Sequence, residues 1–212
     1  MCMDKKEFGA ILLAIFTFTI IIALKDMLSG SLNTIGLALI SATIIIAVNI
    51  YSKVLTAHEY NASVEHELWL FSRFGFKPHQ KTNKPIPLGI ILSLLVSLLS
   101  AGWIMFSTLL TFETSAHKGS KRKLSGYVFT EMTDWHTALI GSIGIISVLV
   151  LSFIAYFFPP IHLIAKAAAF YAFFNMIPFS KLDGAQIFYG SQAIWTALAI
   201  ISALFTFVAI IL

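Results

Sequence analysis

Apolar residues along this chain come in long unbroken runs rather than in the alternating or helical-face patterns of a water-soluble domain. The runs are Phe8–Leu24, Thr34–Leu55, Ile86–Leu110, Thr137–Phe158, Ile161–Phe174 and Ser191–Leu212. A bilayer core of about 30 Å takes roughly 20 helical residues to cross, and most of the runs reach that length. Backbone groups inside lipid must be satisfied within their own segment, so each run is expected to be helix rather than strand. The fold expected is an all-α integral membrane protein, a single polytopic domain over 1–212. Lys5 and Lys6 precede the first run, and no small-residue cleavage site precedes Lys25 and Asp26, so that run reads as a retained anchor.

Composition strengthens this picture. Hydrophobic residues make up 58% of 212 and charged residues 11%, with a mean hydropathy of +0.88. That leaves too little charge to cover a soluble surface. The lone Cys2 closes no internal disulfide. A net charge of +4 is modest, and its lysines and arginines sit between apolar runs, where they set orientation. The Lys118–Lys123 segment therefore reads as a loop beside anionic lipid, and no nucleic-acid partner is expected.

Loop charge also bears on topology. Lys53, Arg73, Lys77, Lys81 and Lys84 precede the third run, and Lys118, Lys121, Arg122 and Lys123 follow it. A simple crossing by Ile86–Leu110 would put these two basic stretches on opposite sides, against the positive-inside tendency. A run that dips in and returns, reversing near Gly102, keeps both in the cytoplasm. Five crossings and one re-entrant hairpin are thus expected, with six crossings as the alternative. The N-terminus would be cytoplasmic and the chain integral to the cell membrane.

Ionisable groups beside the runs are the candidates for chemistry, because lipid makes them costly. Three clusters stand out: His58-Glu59 through Glu65-His66-Glu67, read as continuing the second helix; Glu131 through His136; and Asn175 through Asp183-Gly184. Under the re-entrant arrangement all three share one membrane face.

The third cluster, with Asn175, Pro178 and Leu182-Asp183-Gly184, resembles the Asn/Pro…Leu-Asp-Gly segment of the site-2 protease family of intramembrane zinc metalloproteases. The order of parts is also similar, over roughly Ile40 to Gln192. The resemblance implies zinc held by a His-Glu-x-x-His helix and a later aspartate, with the glutamate as base. Carried over, His58 is the first ligand, Glu59 the base and Asp183 the third ligand, while Ala62 stands at the second. Starting at His66-Glu67 puts Leu70 at that position, and a third registration places Ser63, Val64 and Glu67 on the motif. The sequence therefore departs from the family's zinc motif in every registration. Ile140-Gly141-Ser142-Ile143-Gly144-Ile145 likewise lacks the Pro and Asn of a family element that, with the Asn before the Asp-Gly motif, helps hold substrate; of these only Asn175 is kept.

Two functions follow. One is a divergent metal-dependent endopeptidase acting on membrane-embedded segments. It would use Glu59 or Glu65 as base, His58, His66, His136 (or Glu131) and Asp183 as the donors for an altered zinc site, and Asn175 to orient substrate. The other is an inactive pseudoprotease or scaffold that binds transmembrane partners. A small transporter is a third, suggested by the re-entrant run alone.

Overall fold

A computed structural model of the chain describes residues 5–30, 34–73, 81–116, 122–124, 127–129 and 132–211. Helices dominate: α1 (Lys5–Leu28), α2 (Ile35–Glu59), α3 (Leu88–Leu99), α4 (Asp134–Tyr156), α5 (His162–Asn175), α6 (Asp183–Gly190) and α7 (Gln192–Ile211). Four of them, α1, α2, α4 and α7, are long and apolar enough to cross a membrane. Helix α5 is not. Its 14 residues rise only about 21 Å. It is instead the buried centre, packed against α2, α4 and α7. Alanines at 165, 167, 168, 169 and 172 allow those neighbours to approach from several sides.

The all-α expectation does not extend to the connections between the helices. Helix α2 stops at Glu59, and the chain turns through Tyr60 and a left-handed Asn61 (φ 53) into strand β1 (Ala62–Leu68). The His58–Glu67 cluster is thus a helix end and a strand, not one helix. Strand β1 pairs antiparallel with β4 (Leu110–Ala116), with Ala62 opposite Ala116 and Leu68 opposite Leu110. Two smaller antiparallel pairs join β2 (Phe71–Arg73) to β3 (Lys81–Ile86) and β5 (Arg122–Leu124) to β6 (Tyr127–Phe129).

The third apolar run goes out and comes back. The Gly89 N–H donates to the Trp69 carbonyl, and the Trp69 N–H donates to the Leu109 carbonyl, so both ends of the run meet at one residue. Between them α3 rises about 18 Å, the chain reverses at Gly102, and an extended arm returns from Trp103 to Leu109. Gly102 has φ +78, and a Cβ there would stand 2.6 Å from the Lys25 backbone nitrogen. Only glycine meets both demands. The Lys25 ammonium lies 4.3 Å from the centre of the Trp103 ring, tying the reversal to the end of α1. At the other end of α1, Glu7 reaches β1. Strand β1 and the hairpin together therefore run alongside α1 from Glu7 to Lys25, an interval of roughly 27 Å.

The pairing of β1 with β4 has a direct test. The Ser63 and Ser115 hydroxyls hydrogen-bond across the pair at 2.7 Å. Ser63→Cys/Ser115→Cys in a Cys2→Ser background should form an intrachain disulfide on mild oxidation in native membranes. A chain that stays reduced under conditions that oxidise an exposed control pair would contradict this register.

Candidate functional site

Six residues before the end of α2, about 9 Å down the helix, Lys53 points into the protein. Its Nζ lies 2.6 Å from Oδ2 of Asp183, the first residue of α6. The two side chains are 3% and 2% exposed. Burial of either charge alone would cost several kcal/mol, so each is present because the other is. The Lys53 ammonium also lies 4.4 Å from the centre of the Phe112 ring in β4. On α4, Gly144 makes room for the lysine stem. A Cβ there would fall 2.6 Å from Lys53 Cε and 3.1 Å from Asn49 Nδ2.

The aspartate is brought in by the turn that follows α5. Ser180 takes the left-handed conformation (φ 56), and α6 begins at Asp183. A carboxylate in the first turn of a helix is favoured by the exposed N–H groups there. Gly184 is the second residue of α6. Its hydrogen is required because the Met176 carbonyl occupies the space of a Cβ. Trp195 Nε1 donates to that same carbonyl at 2.9 Å and fixes α7 to the turn.

His66 adjoins this pair from the opposite side. In β1 the side chains of Ala62, Val64 and His66 face inward, while Glu65 and Glu67 face solvent. His66 is 1% exposed and sits directly across from Phe112. Both its backbone N–H and its ring Nδ1 lie 3.2 Å from Glu7 Oε1. Burial and the neighbouring Lys53 cation push its pKa down to about 3, so the ring is neutral, with Nδ1–H donating to Glu7. Nε2 then carries a lone pair that is buried and finds no partner among the described residues.

The expected donors separate in this geometry. Asp183 and His66 lie inside. His58 and Glu59 are exposed at the end of α2, and Glu65 points away from His66 because adjacent strand residues face opposite ways. His136, half-buried in the first turn of α4, hydrogen-bonds through Nδ1 to Thr133 Oγ1 and meets Tyr60 edge-on. Glu131 lies outside the described residues. No three His, Cys, Asp or Glu side chains converge to hold a metal among the described residues. Asn175 is buried, and its Nδ2 donates to the Ser107 and Tyr171 carbonyls at 3.2 and 2.9 Å. It holds the returning arm of the hairpin.

Asp183 thus lies inside with His66 and Asn175, and its partner is a lysine. Zinc sites hold the metal through at least three protein donors. Among the described residues, one oxygen of Asp183 is taken by an ammonium and the Glu7 carboxylate is bonded to His66, so with the single free imidazole nitrogen they do not make the three-donor set of a resident zinc. Lys53 counted only as loop charge at the sequence level, although Asn49 and Lys53 stand four apart inside an apolar run. Residues four apart share a helix face, so that spacing marks an inward polar pair.

No protein family, curated protein or solved structure matches this chain. The resemblance to site-2 proteases thus rests on the quoted residues and their order.

Two predictions follow from the packing. Lys53→Met leaves a buried carboxylate without its counter-charge and should destabilise the protein by about 3–5 kcal/mol, whereas Lys53→Met/Asp183→Leu should recover most of that loss. Unfolding of the three proteins in one detergent measures the coupling. Lowering the pH from about 6.5 to about 3 protonates His66 in the unfolded chain but not in the folded one, so this residue removes stability progressively over that window. The loss is about 5 kcal/mol in full, and His66→Asn should flatten the acid limb of a stability–pH curve.

Proposed function

We propose that this protein is a non-hydrolytic membrane scaffold with a site-2-protease-like layout, which holds transmembrane partners and does not cleave them. The observation that carries this reading is the Lys53–Asp183 pair at 2.6 Å. An aspartate that would be a metal ligand is neutralised by a cation belonging to the chain itself. The groups that a hydrolytic reading needs as base, Glu59 and Glu65, are exposed and point away from it. The Asn175 amide donates to the protein's own backbone.

In this reading α1, α2, α4 and α7 cross the cytoplasmic membrane, α5 descends to the paired charges, and the N-terminus is cytoplasmic. The run from Leu88 to Leu109 enters and leaves on the cytoplasmic side, because both of its ends meet at Trp69. Its extended arm lies against protein, the only place where unladdered backbone is tolerated at that depth. Partners would be apolar transmembrane helices. The support for this is a wholly apolar groove of about 240 Å³ between α4 and α7, lined by Ile146, Val150, Phe153, Ile201 and Phe205 among others.

Metal analysis tests the reading. Protein purified without chelators and reconstituted in lipid nanodiscs should carry no stoichiometric zinc. A chelator should leave its thermal midpoint unchanged, and transmembrane peptides should remain uncut. One zinc per chain, lost in Asp183→Ala, would overturn the reading and restore a metalloprotease.

A further inference from the structure

We propose that Lys53 supplies a built-in cation to what is otherwise a cation-binding pocket, so that the pocket accepts a positive charge from solution once the lysine is cut back. The inference rests on the reading above, that the site works without a resident metal, and it concerns what the remaining walls recognise.

Those walls are electron-rich on three sides. Asp183 presents Oδ2 to the ammonium at 2.6 Å, while its Oδ1 is buried and has no hydrogen-bond partner among the described residues. The face of the Phe112 ring covers a second side at 4.4 Å, a cation–π distance. His66 stands across the β1–β4 pair from Phe112, on the same face of the strands. Because its Nδ1–H is committed to Glu7, its buried Nε2 is an acceptor with nothing to accept from. A carboxylate oxygen and an imidazole lone pair, both buried and both unpaired, are costly in a dry interior. The carboxylate oxygen belongs to the residue that holds the ammonium, and the imidazole feels the same cation. The three walls come from α6, β4 and β1, so the pocket depends on the whole fold.

A lysine is a poor match to a metal and a good match to an ammonium. It fills the centre of the pocket through a stem packed against Gly144, and it leaves when its side chain is removed. The class of ligand follows: a small alkylammonium.

The test is chemical rescue of Lys53→Ala in nanodiscs, read by thermal midpoint. Propylammonium should raise the midpoint by roughly 5–10 °C at about a hundredfold excess over its dissociation constant. Zinc chloride is the bare-metal control, and a shift with zinc but none with propylammonium would overturn the proposal. Wild type and Lys53→Ala/Asp183→Asn should respond to neither. Propanol is the neutral control of similar shape. Equal stabilisation by propanol would show simple hole-filling and overturn the proposal, as would a folded Lys53→Ala that responds to no cation. If Lys53→Ala folds only poorly, recovery of folded protein extracted with propylammonium replaces the midpoint. The comparison of Lys53→Arg with Lys53→Met then reads the charge directly, and equal folded yields from the two would overturn the proposal. Failure of rescue leaves the non-hydrolytic reading standing, because only zinc in the wild type would remove that.

Discussion

Everything around the centre of this protein is arranged to bury one positive and one negative charge together. Lys53 and Asp183 lie 130 positions apart in sequence and are almost fully sealed from solvent. Neither survives in an apolar interior alone, so the pair constrains every element that approaches it. Helix α4 must carry glycine at 144 to admit the lysine stem, and the first turn of α6 must carry glycine at 184 to pack against the Met176 carbonyl. Strand β4 must place Phe112 under the ammonium. A buried ion pair adds little net stability compared with apolar packing. What it does is make wrong pairings of these helices expensive, since any of them would strand a charge.

The same constraint explains the roles of the strands. A polypeptide that leaves α2 at Glu59 still has to bring a β-ladder against Lys53. It does so by capping the outward backbone groups of β1 and β4 with side chains from helices. Glu7 of α1 accepts from the His66 N–H, and Gln186 of α6 donates to the Phe112 carbonyl at 2.6 Å. Backbone groups buried without partners are costly, and here two helices satisfy them at one level of the ladder. The charged pair, the strand pair and the ends of α1 and α6 thus form one connected unit.

This unit also accounts for how the chemistry differs from the pattern that the sequence resembles. Asp183 and Asn175 keep their places beside the core, yet both are committed internally, one to an ammonium and the other to backbone carbonyls. The histidines and glutamates that sequence spacing suggested as partners are scattered, because β1 alternates its side chains and α2 ends at Glu59. Among the described residues of that set, His66 alone is buried.

By itself the sequence determined the solvent of this protein and most of its helices. Runs of about 20 apolar residues have few alternatives to helix, and α1, α2, α4 and α7 lie where hydropathy puts them. The loop charges and Gly102 pointed to a run that doubles back, and Asp183-Gly184 stood out because a carboxylate after an apolar helix is expensive. Tertiary structure decided the rest. Whether His58 through Glu67 stays helical depended on the partner strand Leu110–Ala116, more than forty residues away, and local spacing carries no record of that pairing. Lys53 looked like loop charge because a basic residue near a helix end usually reaches for water. Only the arrival of Asp183 from the far end of the chain makes it more stable pointing inward.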